Sequence, residues 1–137
     1  MTVAEDHLDW VLARGSGELA ARMGIEFLEF TEERAVARMP VAGNTQALGL
    51  VHGGAYVVLG ESLGSMHANL LAGTGRFAVG IEINATHSGS ARAGHVTGTA
   101  MPLSVGRSLI THEIVVTDDA GRRLSTIRIT NFIRDAR

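Results

Sequence analysis

No cysteine and no lysine occur among the 137 residues, and aromatic side chains make up only 4%. The first absence excludes disulfides, thiolate catalysis and cysteine-ligated metals. The second excludes Schiff-base lysine chemistry and a Walker-type phosphate loop, because all twelve basic residues are arginine. An acid, base or nucleophile must therefore come from Asp, Glu, His, Ser, Thr or Tyr. The net charge is −2 with both signs scattered. Together with so few aromatics, that gives neither the basic footprint nor the stacking surface of a nucleic-acid binder. The start, MTVAEDHLDW, is acidic rather than basic-then-apolar, so a cytoplasmic protein is expected. The six histidines (7, 52, 67, 87, 95, 112) form no HxH or HExxH pair, and no metal is expected.

What is present is apolar. Hydrophobic residues make up 45% of the chain, and its length suits one domain, 1–137, that buries roughly two-thirds of its unfolded surface. Residues 5–14 predict an amphipathic helix ending at Gly15, and 16–23 a second one with Ser16 as N-cap and Gly24 as its stop. The GSGELA run at 15–20 mimics a dinucleotide-binding pattern, but no strand precedes it, and a helix stop followed by a helix start explains both glycines. IEFLEF, the polar turn TEER and AVARMP read as a hairpin closed by Pro40. The loop VAGNTQALGLVHGG leads into an apolar helix, roughly 54–72, stopped by Gly73. RFAVGIEINATHS is a strand, followed by the turn GSARAG and the strand HVTGTAMPLSV. SLITHEIVVTD and RRLSTIRITNFI are two more, joined around Gly121. Helices, a hairpin, one long helix and a three-strand meander predict an α+β fold with a mostly antiparallel sheet.

The long helix is interrupted by Glu61, Ser62, Ser65, His67 and Asn69, so it is not expected to span a membrane. Gly60 and Gly64 each cost about 1 kcal/mol relative to alanine, which is tolerable where a sheet must approach closely. Between Arg34 and Thr117 the only acidic residues are Glu61, Glu82 and Glu113. The last two fit the polar faces of alternating strands, whereas Glu61 stands alone in an apolar helix and is expected to be buried. One reading is a structural carboxylate paired with arginine. The other is a desolvated base or nucleophile, with Ser65 one turn later on the same face.

The helix start supplies a complementary half. Gly53 and Gly54 offer unobstructed amides at a positive helix end, suited to polarising a carbonyl. Gln46 can add a donor, and His52 can orient the loop. Gly53 and Glu61, however, are eight residues apart, about 12 Å along a helix. One chain's Glu61 hardly reaches its own Gly53 site, so a composite site across a symmetric dimer is expected.

The run NTQALGLVHGGAYVVLGESLGS, followed by GIEINATHSGSARAG and PLSVGRS, resembles the hotdog-fold acyl-CoA thioesterases. It is similar to the branch holding glutamate-type 4-hydroxybenzoyl-CoA thioesterase, 1,4-dihydroxy-2-naphthoyl-CoA hydrolase, and the phenylacetate-pathway and enterobactin-proofreading thioesterases. The resemblance implies a sausage helix in a curved sheet, and dimers or dimer-of-dimers tetramers with active sites at the subunit interface. It places Glu61 as the catalytic carboxylate, Gln46 and Gly53 as carbonyl binders, His52 as the histidine of HGG, and Ser65 as the hydroxyl beside the carboxylate. Gly80, His87, Ser88, Gly89, Ser90 and Arg92 fall where relatives hold coenzyme A, as do Gly106, Arg107 and Ser108 within 104–109. The turn SVGRS fits a phosphate through free amides and Arg107. Where relatives use a lysine on coenzyme A, an arginine must serve here. The coenzyme is part of the substrate, and no other cofactor is implied. Met66, His67, Leu70 and Tyr56 are the expected surroundings of the acyl group. Two alternatives stay open: a hydratase or dehydratase of the same fold, using Glu82, Asn84 and His87, or a non-catalytic acyl-CoA-binding protein.

Overall fold

The computed structural model describes residues 3–136. Two short helices come first, α1 (Glu5–Arg14) and α2 (Gly17–Arg22), then the hairpin β1 (Glu26–Phe30) and β2 (Ala35–Pro40). The long helix α3 (Gly53–Ala72) follows, then β3 (Arg76–His87), β4 (His95–Val105), β5 (Leu109–Thr117) and β6 (Arg123–Asp135). Ser16 stands at the N-cap of α2, but its hydroxyl makes no capping bond. Gly15 and Gly17 take positive φ at this helix stop and start, which is the conformational use that glycine alone permits cheaply.

The six strands form one antiparallel sheet in the order β1-β2-β4-β5-β6-β3. The meander is therefore β4-β5-β6, and β3 does not pair with β4 across GSARAG. It lies at the far edge against β6, with Ala78 opposite Ile133 and His87 opposite Ser125. The reason is α3: it crosses the concave face and delivers the chain to the opposite edge. Bulges between Gly80 and Glu82 and between Pro102 and Ser104 add twist, so the sheet curls round the helix. This is the hotdog fold.

The core lies between α3 and the sheet's inner face. Leu59, Leu63, Ile114, Ile127 and Ile129 are all inaccessible to solvent, each contributing about 1.5–3 kcal/mol by burial. Gly60 and Gly64 are where the helix touches the sheet. A Cβ on Gly60 would come within 2.8 Å of Ile127, and one on Gly64 would collide with Ile129. On the strand side, a Cβ on Gly98 would lie 2.7 Å from Leu63. The glycine spacing serves helix-on-sheet approach, as expected, and no helix among the described residues is long and apolar enough to cross a membrane.

Candidate active site

Glu61 lies in the middle of α3, but it is exposed in the single chain. That corrects the expectation of a buried carboxylate. The sheet wraps only part of the helix circumference and leaves open a strip running through Gly54, Val58, Glu61, Ser65 and Asn69, spaced three and four residues apart. Glu61 is seated there over Gly80 of β3. A Cβ on Gly80 would stand 2.7 Å from Glu61 Oε2, so the absence of a side chain makes the carboxylate's berth. Gly80 thus belongs beside Glu61 in this chain.

Below Glu61 the strip turns polar. Ser65 Oγ donates to Asn131 Oδ1 at 3.1 Å. Asn131 belongs to β6, is fully buried, and faces inward in a row with Ser125, Ile127, Ile129 and Ile133. Its Nδ2 has no partner among the described residues, a condition that costs about 1–3 kcal/mol for a buried donor. Asn131 Oδ1 and Glu61 Oε2 both lie near the Cβ position of Gly80, at 3.7 and 2.7 Å. One turn on, Asn69 fixes the geometry. Its Oδ1 accepts from the Ala78 amide at 2.9 Å, and its Nδ2 donates to the Ser65 carbonyl at 2.8 Å, tying β3 to the helix. Asn131 was not singled out from the sequence. The available signal was an asparagine at an inward position of an isoleucine-rich strand.

At the other end of α3, His52 is the N-cap and its Nδ1 accepts from the Gly54 amide at 2.9 Å. The Gly53 amide meets no protein acceptor among the described residues. Gln46 sits in a loop closed by the Thr45–Val51 bridge. Its Oε1 accepts from the Leu48 amide, which leaves the Nε2 side of the amide as a free donor. His87 reaches the same place from β3: its ring is 3.1 Å from the Cβ position of Gly53 and 5.0 Å from the ring of Tyr56. Ser125 Oγ donates to the Thr86 carbonyl and so accepts from His87 Nδ1–H, at 2.8 Å. The Nε2 edge of the His87 ring therefore faces the helix start. Because α3 is unbroken, Gly53 and Glu61 remain about 12 Å apart.

The residues read as coenzyme contacts fall into two groups that one chain does not bring together. His87 to Arg92 lies at one end of the sheet, and Gly106 to Ser108 lies beyond the row Leu109–Phe132–Val79 at the other. The eight residue-to-residue steps of β3 from Val79 to His87 separate them by about 25 Å. The amides of Ser88 and Gly89 both donate to the Leu124 carbonyl, and that of Gly106 donates to the Leu109 carbonyl. The turn at 104–109 is thus less open to a phosphate than its sequence suggests. Arg107 is exposed, and Arg92 donates to the Leu48 carbonyl at 3.1 Å, bracing the loop that holds Gln46. Ser90 accepts at its carbonyl from Arg122 at 3.0 Å.

Of the four residues expected around an acyl group, only Met66 lines a cavity. Tyr56, His67 and Leu70 are sealed in the core. A cleft of about 420 Å³ opens between α1, α3 and β3, lined by Trp10, Val11, Met66, Phe77 and Val79, with Arg14 stacked on Trp10 at 4.7 Å. His67 instead forms a dyad with His112. His67 Nε2 donates to the Thr31 carbonyl at 2.7 Å, so its Nδ1 accepts from His112 Nε2–H at 2.7 Å. Burial pushes both histidines down, His112 to about 3, with His67 as the lesser cause. Among the described residues no cluster of three His, Asp or Glu side chains is arranged to hold a metal.

Comparison with known proteins agrees with this geometry. The thioesterase superfamily profile matches residues 48–125, from the loop after Gln46 to the start of β6. The chain is 39% identical over 127 residues to proofreading thioesterase EntH of Cronobacter turicensis, covering 92% of this chain and 93% of that one. It superposes on a crystal structure of a variant of thioesterase PA1618 from Pseudomonas aeruginosa with a TM-score of 0.86. Identity there is 35%, with 93% of this chain and 94% of that chain covered. Thioesterase HI1161 from Haemophilus influenzae gives a TM-score of 0.85 at 30% identity, over 98% of this chain and 93% of that one. By fold, by the extent of the match and by identity along nearly its whole length, the chain belongs to the thioesterase superfamily.

Proposed function

We propose that this protein hydrolyses acyl- or aroyl-CoA thioesters as a glutamate-type enzyme, with active sites built between two copies of the chain. One observation carries the reading: a carboxylate on the open strip of an apolar helix, seated over a glycine, with an unbonded helix-start amide 12 Å away. Each is half of a thioester hydrolase, and neither half can serve the other within one chain. Exposed apolar surface supports the second copy. The flank around Glu61 leaves Val57, Val58 and Met66 partly exposed, and Val79 and Ile81 are 40% and 59% exposed on the edge strand beside it. In this reading a two-fold relating the two β3 edges would bring one copy's His87–Arg92 end to its partner's Gly106–Ser108 end.

In this reading the thioester carbonyl oxygen accepts from the Gly53 amide and Gln46 Nε2, donors already aimed where negative charge develops. Glu61 of the partner lies against the carbonyl carbon, to attack it or to deprotonate a water that does. The C–S bond breaks, and coenzyme A leaves as the thiol. Met66 is five residues past Glu61, about 7.5 Å along the helix. The cleft beyond it takes the apolar part of the acyl group, and Trp10 forms one wall. The hydratase alternative loses support because its three residues diverge. Asn84 donates to Glu82 at 2.8 Å on the sheet's outer face, while His87 points inward toward Ser125.

A thiol-release assay with aryl, short and long acyl-CoAs tests the activity. Glu61→Gln is expected to lower kcat by about 10²–10⁴-fold with folding unchanged. Mixing Glu61→Gln with Gln46→Ala protomers tests the composite site. A random mixture regains about a quarter of wild-type turnover if each site draws on two chains, and none if each chain holds its own.

A further inference from the structure

We infer that Asn131 is a positioning residue for hydrolysis, and that it works by fixing the direction of the Ser65 hydroxyl so that Ser65 and Glu61 together hold the water that the reaction consumes. The inference rests on the thioesterase reading above and goes beyond it by naming a buried residue that sets the polarity of the strip beside Glu61.

The geometry begins with hydrogen-bond polarity. Asn131 Oδ1 has lone pairs and no hydrogen, so the 3.1 Å contact obliges Ser65 Oγ–H to donate to it. Ser65 then has only lone pairs to offer on its other sides, and Glu61, one helical turn earlier, is also an acceptor when ionised. Two acceptors side by side, with no donor of their own to spare, are matched by one molecule that donates twice. That molecule is a water giving one O–H to Glu61 and the other to Ser65. Both its protons are then engaged, and a lone pair is left facing out of the strip. With Glu61 as the base, attack on the carbonyl carbon forms the C–O bond as Glu61 takes the water's proton. When the tetrahedral centre collapses, the C–S bond breaks and the proton passes to the departing thiolate, so Glu61 ends as it began.

Structure alone does not call for an asparagine at 131. The side chain is fully buried, its inward neighbours on β6 are isoleucines, and its Nδ2 satisfies nothing among the described residues. An apolar residue paired with an apolar residue at 65 would fill the same space and leave no polar group unsatisfied. The cluster is also continuous with Glu61, because Oδ1 of Asn131 and Oε2 of Glu61 flank the same bare Cβ position on Gly80.

The test is a double-mutant cycle on kcat with Ser65→Ala, Asn131→Leu and the pair. Each single variant is expected to lose about 10–100-fold in kcat with KM within about twofold, and the double variant to be no slower than the slower single. Asn131→Asp keeps an acceptor for Ser65 but sets a second carboxylate near Glu61. Its kcat at neutral to alkaline pH is expected to lie closer to wild type than that of Asn131→Leu even though the added buried charge costs stability, an order that a purely structural role would reverse. Multiplicative losses in the cycle, or wild-type kcat in Asn131→Leu, would overturn the inference while an active wild type and a dead Glu61→Gln left the thioesterase reading standing. Absence of thiol release from wild type would instead remove that reading itself.

Discussion

Two buried polar pairs hang from α3, and each leaves one atom unpaired: Nδ2 of Asn131 and Nδ1 of His112 are the two such side-chain atoms among the described residues. Their anchors on the helix, Ser65 and His67, are two residues apart and so point to different sides of it. The Ser65–Asn131 pair lies under the open strip, next to an exposed carboxylate. The His67–His112 pair is closed off by Phe30 and the β1–β2 turn, and its chain of donors ends at the Thr31 carbonyl. Both unpaired atoms are buried, but Ser65, the anchor of the first pair, is half-exposed and can present its oxygen to something that binds in the strip. His67, the anchor of the second, is sealed in the core and cannot, so that pair registers only in stability.

The largest effect that would sharpen this contrast comes from Gly80→Ala. Its φ is not positive, so alanine is tolerated by the backbone, and the atom it meets is the flexible end of Glu61. The thermal midpoint is expected to move little. Displacing the carboxylate by about 1 Å is expected to cost on the order of 10²-fold in kcat. Equal activity in Gly80→Ala, measured by thiol release, would detach the open cluster from the chemistry.

The next effect belongs to the sealed pair. The two histidines titrate near 6.5 when unfolded, and burial lowers both in the folded chain. Above pH 6.5 neither state binds the proton, and the pair is fully stabilising. Below it the unfolded chain takes up protons that the folded one refuses, so stability falls. For His112, lowered to about 3, the loss at pH 5 is about 2 kcal/mol. Urea midpoints between pH 8 and 5 check this. The joint replacement His67→Phe with His112→Leu should flatten that slope, and an unchanged slope would assign the acid sensitivity elsewhere.

How far all this could be read from the chain follows from the range of the interactions involved. Helix ends, the β1–β2 and β5–β6 hairpins and the glycine face of α3 are local patterns, and the residues 53–72 and 109–135 announced them through spacing and turn chemistry. The partner of β3 was not local: nothing in RFAVGIEINATH states that it will pair with β6 rather than β4. Glu61 was legible as an oddity in an apolar helix, but its exposure depends on how much of the circumference a curved sheet covers. The separation of Gly53 from Glu61 was legible because helical rise is fixed. The location of Gly80 beneath Glu61, and of Asn131 behind Ser65, required strand register, which a single bulge at Ile81 resets. His67 read as a pocket residue because an i+6 offset from Glu61 carries no information about which side of the helix the sheet will seal.

The smallest effect divides the two pairs most cleanly, because it asks the same substitution of both. His112→Leu removes one unpaired atom but leaves His67 Nδ1 as another, a buried acceptor with no donor and no route to water. The expected cost is about 1–3 kcal/mol. Asn131→Leu also removes an unpaired atom, but the hydroxyl it abandons is on half-exposed Ser65, which can turn toward solvent. Its stability should stay within about 0.5 kcal/mol of wild type or rise, as sites arranged for chemistry often do when their polar groups are removed. Urea melts of the two variants at pH 8, where neither histidine is protonated in either state, keep the titration from contributing. If Asn131→Leu lost as much as His112→Leu, both pairs would be ordinary buried networks, and the open strip would owe its polarity to the core beneath it rather than to what binds above.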